Sequence, residues 1–170
     1  ENIRVYAVDV TTLAKRDLTP LAGVQAQILG VTPRHRNLIA IGLNDRDPRW
    51  HDLWHVDLTT GERRLVRENR DEIAGYVLDR DLMPRLAVRS QPDGSEIVYT
   101  VKGEKLETLE PALTVPFADT MTTGPRHITA DGKAYYLSSS LGRDRAALFR
   151  VDFATGAQTL VAEHDKADIG

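Results

Sequence analysis

Apolar residues in this chain recur at every second position in short runs, and nowhere at every third or fourth position over a long stretch. Period two places alternate side chains on opposite faces, so the runs predict β-strands with one buried side. One pattern repeats: an aromatic, a valine two places on and another apolar residue two beyond it. It appears as Tyr6-Val8-Val10, Trp54-Val56-Leu58 and Phe149-Val151-Phe153, with a weaker copy at Tyr99-Val101. The four aromatics stand 48, 45 and 50 residues apart, which is a repeat with a period near 48. The aromatics at that spacing are expected to be core.

Each strong copy runs into an Asp followed by Thr and, in two of three, a Gly: Asp57 to Gly61 and Asp152 to Gly156. A second apolar pair follows, Leu65-Val66 or Leu160-Val161. The Asp carboxylate accepts from backbone N–H groups of the turn and Gly supplies φ > 0, so strand, turn and strand predict a hairpin. Leu13 replaces the Gly in the first copy, and that turn is expected to differ. Upstream lie further strands, Leu38 to Leu43, Leu86 to Ser90 and Ala134 to Ser138, and before them Gln25 to Val31, Ile73 to Leu78 and Arg126 to Thr129. One repeat is therefore four strands in about 48 residues, a β-propeller blade. The stretch from Glu107 to Thr122 is the one most able to hold a short helix.

The fold expected is all-β, a partial β-propeller of about 3.5 four-stranded antiparallel blades. Residues 1–22 form half a blade, 23–70 and 71–110 a blade each, and 111–170 a blade plus the lead into the next. The chain opens directly in the strand-like segment Ile3 to Val10, as a piece of a longer protein would. A ring of 3.5 blades leaves two terminal faces uncovered, lined with residues such as Val8, Val10, Val151 and Phe153, and the half blade leaves an unpaired strand edge near Ile3 to Val10, so self-association of the isolated chain is expected.

Composition narrows the function. The 170 residues are 41% hydrophobic, enough for a core. Net charge is −3, with 22 Lys and Arg interleaved among 25 Asp and Glu, so no basic stripe faces a nucleic acid. No run reaches the length of a membrane span and no leader-like segment opens the chain, which leaves cytoplasm and periplasm as compartments. The absence of cysteine excludes disulfides, thiolate metal sites and a Cys nucleophile.

Candidate chemistry reduces on inspection to structure. His51 and His55 lie on a strand, where four residues span about 13 Å, too far for one metal ion. His51 reads as a rim residue and His55 as one on the strand's wetter face. Asn44-Asp45-Arg46-Asp47-Pro48 lacks the glycine and terminal glutamate of a calcium loop and places an arginine among the ligands. Asp79 and Asp81 read as a salt-linked turn. Ser138-Ser139-Ser140 has no nucleophile elbow around it, and Gly-x-Ser-x-Gly occurs nowhere. No catalytic residue and no cofactor is assigned.

Several stretches resemble the N-terminal propeller of prolyl oligopeptidase-type serine peptidases, in the dipeptidyl aminopeptidase and acylaminoacyl peptidase branch. They are Arg16 to Pro20, Gly42 to Pro48 with His51-Asp52-Leu53, Thr123-Gly124-Pro125, Thr129 to Lys133, Gly142-Arg143-Asp144 and Leu160 to Gly170. The resemblance implies a propeller that covers a C-terminal α/β-hydrolase domain of the same polypeptide and admits peptide substrates to it, with no nucleic-acid or membrane partner. The paired glutamates on a helix by which dipeptidyl peptidases hold a substrate's amino group have no counterpart here, so no substrate preference carries over. A TolB-like protein-binding propeller is the alternative. The loops expected between second and third strands, Asn44 to Asp52 and Leu141 to Arg145, would share one face. Asn44, Asp45, Arg46, Asp47, His51, Arg143 and Asp144 are accordingly the candidate interdomain or substrate-face residues.

Overall fold

The computed structural model describes residues 3–169. Among the described residues fourteen strands form four antiparallel sheets. β1 (Tyr6–Val8) and β2 (Lys15–Asp17) pair alone. β3 (Ala26–Val31), β4 (Leu38–Asp47), β5 (Trp50–Asp57) and β6 (Arg63–Arg67) make the second sheet. β7 (Gly75–Leu78), β8 (Pro84–Ser90), β9 (Glu96–Lys102) and β10 (Thr108–Val115) make the third. β11 (Gly124–Ile128), β12 (Ala134–Ser139), β13 (Ala147–Asp152) and β14 (Gln158–Ala162) make the fourth. Each four-stranded sheet is a meander in which strands adjacent in sequence are hydrogen-bonded neighbours, the order of a propeller blade. The chain divides into two compact units, residues 1–72 and 73–170.

In the first unit Val5 and Leu18 pack with Ala26, Ile39, Ile41, Leu43 and Val56, so the two-stranded sheet lies on the second. Trp54 and Leu58 join that cluster partly buried, as the repeat predicts. In the second unit Leu86, Val98 and Val115 pack with Tyr135, Leu137 and Val151, and Phe149 and Phe153 seal the edge. A separate cluster of Ile73, Ala87, Tyr99 and Val101 lies on the third sheet. These contacts remove the period-two apolar faces from water, the main driving force for the fold.

Several details depart from the expectations. Val151 and Phe153 are covered by the third sheet, and only the first copy of the repeat is open: Tyr6, Val8 and Val10 are 54%, 49% and 91% exposed. The residues turned inward here are instead Val5, just before β1, and the partly buried Ala7. His55 is not on a wet face but 3% exposed, paired across the sheet with Ala40 and with Arg64, whose Nη2 lies 3.1 Å from His55 Nδ1. The first Asp turn does not differ from its sisters. Asp9 accepts from the N–H groups of Thr11 and Thr12, as Asp57 does from Thr59 and Thr60 and Asp152 from Ala154 and Thr155. Leu13 takes φ 59 where Gly61 and Gly156 take 79 and 70. Residues 107–122 hold β10, which crosses position 110, and then a 3-10 turn at Phe117–Asp119. Among the described residues no helix is long and apolar enough to cross a membrane.

Candidate interdomain and substrate-face surfaces

Asn44 to Asp52, expected as a loop, is two strand ends joined by a tight turn at Pro48-Arg49. Leu43 pairs with Asp52 and Asp47 with Trp50, so three residues of β4 stand opposite His51 alone. The surplus makes a bulge, and a bulge re-aims side chains. It turns Arg46 back over Asp52, which is 2% exposed. Arg46 Nε and Nη2 donate to Asp52 Oδ2 and Oδ1 at 2.8 and 2.7 Å, a bidentate fork, and Nη2 also donates to the Asn69 carbonyl at 2.8 Å. Asp52 Oδ1 accepts from the Asn69 N–H at 2.6 Å. The fork thus binds the β4–β5 hairpin to the segment that follows β6.

Asn44 is buried as well. Its Oδ1 accepts from the Gln25 N–H at 2.6 Å, and its Nδ2 donates to the Pro48 carbonyl at 3.0 Å. Asn44 and Arg46 are therefore fastenings, although Arg46 keeps an exposed side; Asp45 and Arg49 are exposed at this end, with Asp47 and His51 half-buried beside them. Asp47 accepts from the Arg49 side chain at 3.2 and 3.0 Å and from its N–H at 3.0 Å, and these bonds lower its pKa to about 2. His51 is half-buried against Gly42, where any Cβ would come within 3.1 Å of His51 Cβ. Burial lowers the His51 pKa, and the neighbouring Asp52 opposes that shift.

Arg143 and Asp144 lie in the second unit, on the loop from Ser140 to Ala146 that joins β12 to β13. The Arg143 N–H donates to the Ser140 carbonyl at 2.9 Å, and Gly142 at φ 69 completes the turn. The Arg143 guanidinium pairs with Glu163 and lies 5.8 Å from the Phe149 ring centre, while Asp144 pairs with Arg145 at 3.2 Å. Together with His164 and Asp165 these residues line a hollow of about 530 Å³. Its lining is charged of both signs, which suits a wet contact surface.

Next to this loop stands a feature the sequence did not single out. After β10 the 3-10 turn raises Phe117 and Met121 into solvent, 70% and 91% exposed. Asp119 Oδ1 accepts from Ser140 Oγ at 2.6 Å, Ser140 Oγ meets Thr122 Oγ1 at 2.7 Å, and the Ser140 N–H donates to Thr123 Oγ1 at 2.9 Å. The three serines are thus bound up in structure: Ser138 Oγ lies 2.7 Å from the Ile169 carbonyl, to which it donates, and 3.1 Å from that of Thr122, and Ser139 Oγ accepts from the Leu141 N–H. Asp79 likewise caps its own turn, accepting from the N–H groups of Asp81 and Met83. Among the described residues no group of three His, Cys, Asp or Glu side chains is placed to hold a metal ion.

No family model matches the chain. Over its whole length it is 44% identical to dipeptidyl aminopeptidase BIII of Pseudoxanthomonas mexicana, of which it spans 24%. Two solved structures share its fold. TolB from Acinetobacter baumannii superposes on 96% of this chain and 38% of its own with a TM-score of 0.62 at 17% identity. A prolyl endopeptidase superposes on 94% of this chain and 23% of its own with a TM-score of 0.57 at 12% identity. These two likenesses establish the fold, and the first relative supplies the kinship. Kinship along its whole length to a quarter of a dipeptidyl aminopeptidase, with the fold shared with TolB and a prolyl endopeptidase, agrees with a propeller segment of a prolyl oligopeptidase-family peptidase.

Proposed function

We propose that this chain is the non-catalytic propeller portion of a serine peptidase, and that it gates and positions peptide substrates for an α/β-hydrolase domain elsewhere in the same polypeptide. The observation that carries this reading is the 44% identity along the entire chain to a dipeptidyl aminopeptidase about four times as long. The chain's own residues support it. Ser138, Ser139 and Ser140 serve as hydrogen-bonding groups inside the blade, so catalysis would fall to residues outside this segment. Arg143 and Asp144, with Asp45, Asp47 and His51, are the groups proposed to face the second domain or the incoming peptide. TolB matches more closely in shape, but at 17% identity that likeness concerns the fold alone.

The test begins with the gene, where the reading requires Gly-x-Ser-x-Gly followed by an Asp and a His. The full-length polypeptide should then release chromophore from dipeptidyl or acyl-aminoacyl substrates and react with a fluorophosphonate at one serine. The 170-residue chain should do neither. Labelling of any serine within residues 1–170, or a reading frame without the hydrolase motif, removes the proposal.

A further inference from the structure

A cavity of about 240 Å³ opens between the third and fourth sheets, at the end of β13 away from the Arg143–Asp144 loop. Pro111 to Leu113 of β10 line one side of it, and Tyr135, Val151 and Phe153 the other. Pro111 stands opposite Tyr99 and Leu113 opposite Val98, which leaves Ala112 the extra residue of a bulge. A bulge bends its strand, and here the bent strand is a wall of the cavity. The Tyr135 and Phe153 ring centres lie 5.2 Å apart.

Tyr135 is 4% exposed, and among the described residues its hydroxyl has no hydrogen-bond partner. The repeat does not require that hydroxyl. One and two periods upstream the same position holds Ala87 and Ile39, both apolar and buried. A hydroxyl taken out of water costs stability until something bonds to it. Burial raises the Tyr135 pKa above its ordinary 10, so the group stays protonated and donates. Asp152, which also lines the cavity, gives Oδ1 to the N–H groups of Ala154 and Thr155 and to the Thr155 hydroxyl. Those bonds from Thr155 hold its pKa below the ordinary carboxylate value, so it is charged, and among the described residues its Oδ2 takes no hydrogen bond. No Lys, Arg or His among the described residues lines the cavity. Arg85, over the Phe153 ring at 4.8 Å, stands outside the lining and donates to the Gly132 carbonyl.

We propose that this cavity binds a small uncharged molecule made of one ring or branched chain and a carboxamide, whose oxygen accepts from the Tyr135 hydroxyl. Leu113, Val151 and Phe153 supply the apolar walls for its body. A carboxylate with no cation in the lining turns anions away, and an amide N–H is the kind of donor that the spare Asp152 oxygen accepts. Size sets the limit: drug-sized ligands fill about 300–1,000 Å³, so the space here takes a single ring. The proposal is independent of any peptidase activity.

Hydrogen exchange of the full-length polypeptide, read by mass spectrometry with and without about 10 mM benzamide, tests it, since a ligand of this size binds at about millimolar concentration. Exchange over residues 109–115 and 151–156 is expected to slow by about threefold or more, with residues 141–146 unchanged. Benzoate at the same concentration should leave all three segments unchanged. Tyr135→Phe keeps the ring and removes the donor, so about five- to tenfold more benzamide should be needed for the same slowing. If that variant fails to fold, Ala112→Leu, at an exposed position of the bulge, narrows the cavity and should abolish the response. Exchange that benzamide does not slow overturns the proposal, whether water or another side chain of the polypeptide fills the space. Slowing confined to other residues, equal slowing by benzoate, or a response that survives the folded variant overturns it as well.

Discussion

Leu13 holds the left-handed backbone conformation that Gly61 and Gly156 hold in the sister turns. Its N–H bonds to the Asp9 carbonyl at 2.8 Å, against 2.7 and 2.8 Å for the glycines, so the turn keeps its geometry at the expense of strain. An L-residue in that conformation loses roughly 1–2 kcal/mol, and glycine returns part of the gain through the entropy of the unfolded chain. Leu13 is 71% exposed and gives up little packing. Leu13→Gly is therefore expected to stabilise the first unit by roughly 0.5–1 kcal/mol, read from the denaturant midpoint; a lower midpoint would contradict the strain argument. Neither the strain nor the burial of His55 was legible in the sequence. Residue identity suggested a different turn at Leu13, but the three hydrogen bonds around the Asp overrode the side chain's preference.

The β4–β5 hairpin shows the same override across a whole element. Asn44 to Pro48 has the composition of a loop, and pattern alone ended the strand at Leu43. A bulge and the Arg46–Asp52 fork carry the strand on to Asp47, through contacts that no local signal announces. Arg46→Ala leaves Asp52 buried without its cation. Removing one partner from a fully buried pair takes about 3–5 kcal/mol, and because Arg46 keeps a third of its side chain in water about 2–3 kcal/mol is expected. An unchanged unfolding midpoint would return Arg46 to the role of a free surface charge. Asp47 responds to pH in a definite direction. Its folded pKa, about 2, lies below the ordinary 3.8, so its contribution to stability is complete above the unfolded value and vanishes as pH falls through the folded one. Arg49→Gln should bring the Asp47 carboxyl titration, followed by NMR, back toward 3.8. A titration that stays near 2 would assign the shift to another partner.

At the scale of the whole molecule, the period of about 48 made fourteen strands and three complete sheets legible, because strand period and turn chemistry are both local. The neighbours of the outermost face were not, since a repeat does not say which of its copies is covered. The open copy is the first, and Tyr6, Val8 and Val10 are exposed apolar residues at the edge of a sheet of only two strands. The isolated chain is therefore expected to elute above its 18.9 kDa monomer mass in size exclusion with light scattering, and Tyr6→Lys with Val8→Lys should shift it to monomer. A wild-type monomer that persists at high concentration would show this face tolerates water. The polar fastenings have a wider bearing. Asn44 grips Gln25, the residue before β3, and Ser140 is gripped by Thr123, the residue before β11. Asn44 and Ser140 stand 96 residues apart, two periods of the repeat. Each blade so tied closes its own end below the loop tip, and Asp45 and Asp144 stand outside those fastenings. These two positions can then change charge as the molecules they meet change, with the blade beneath indifferent to the exchange.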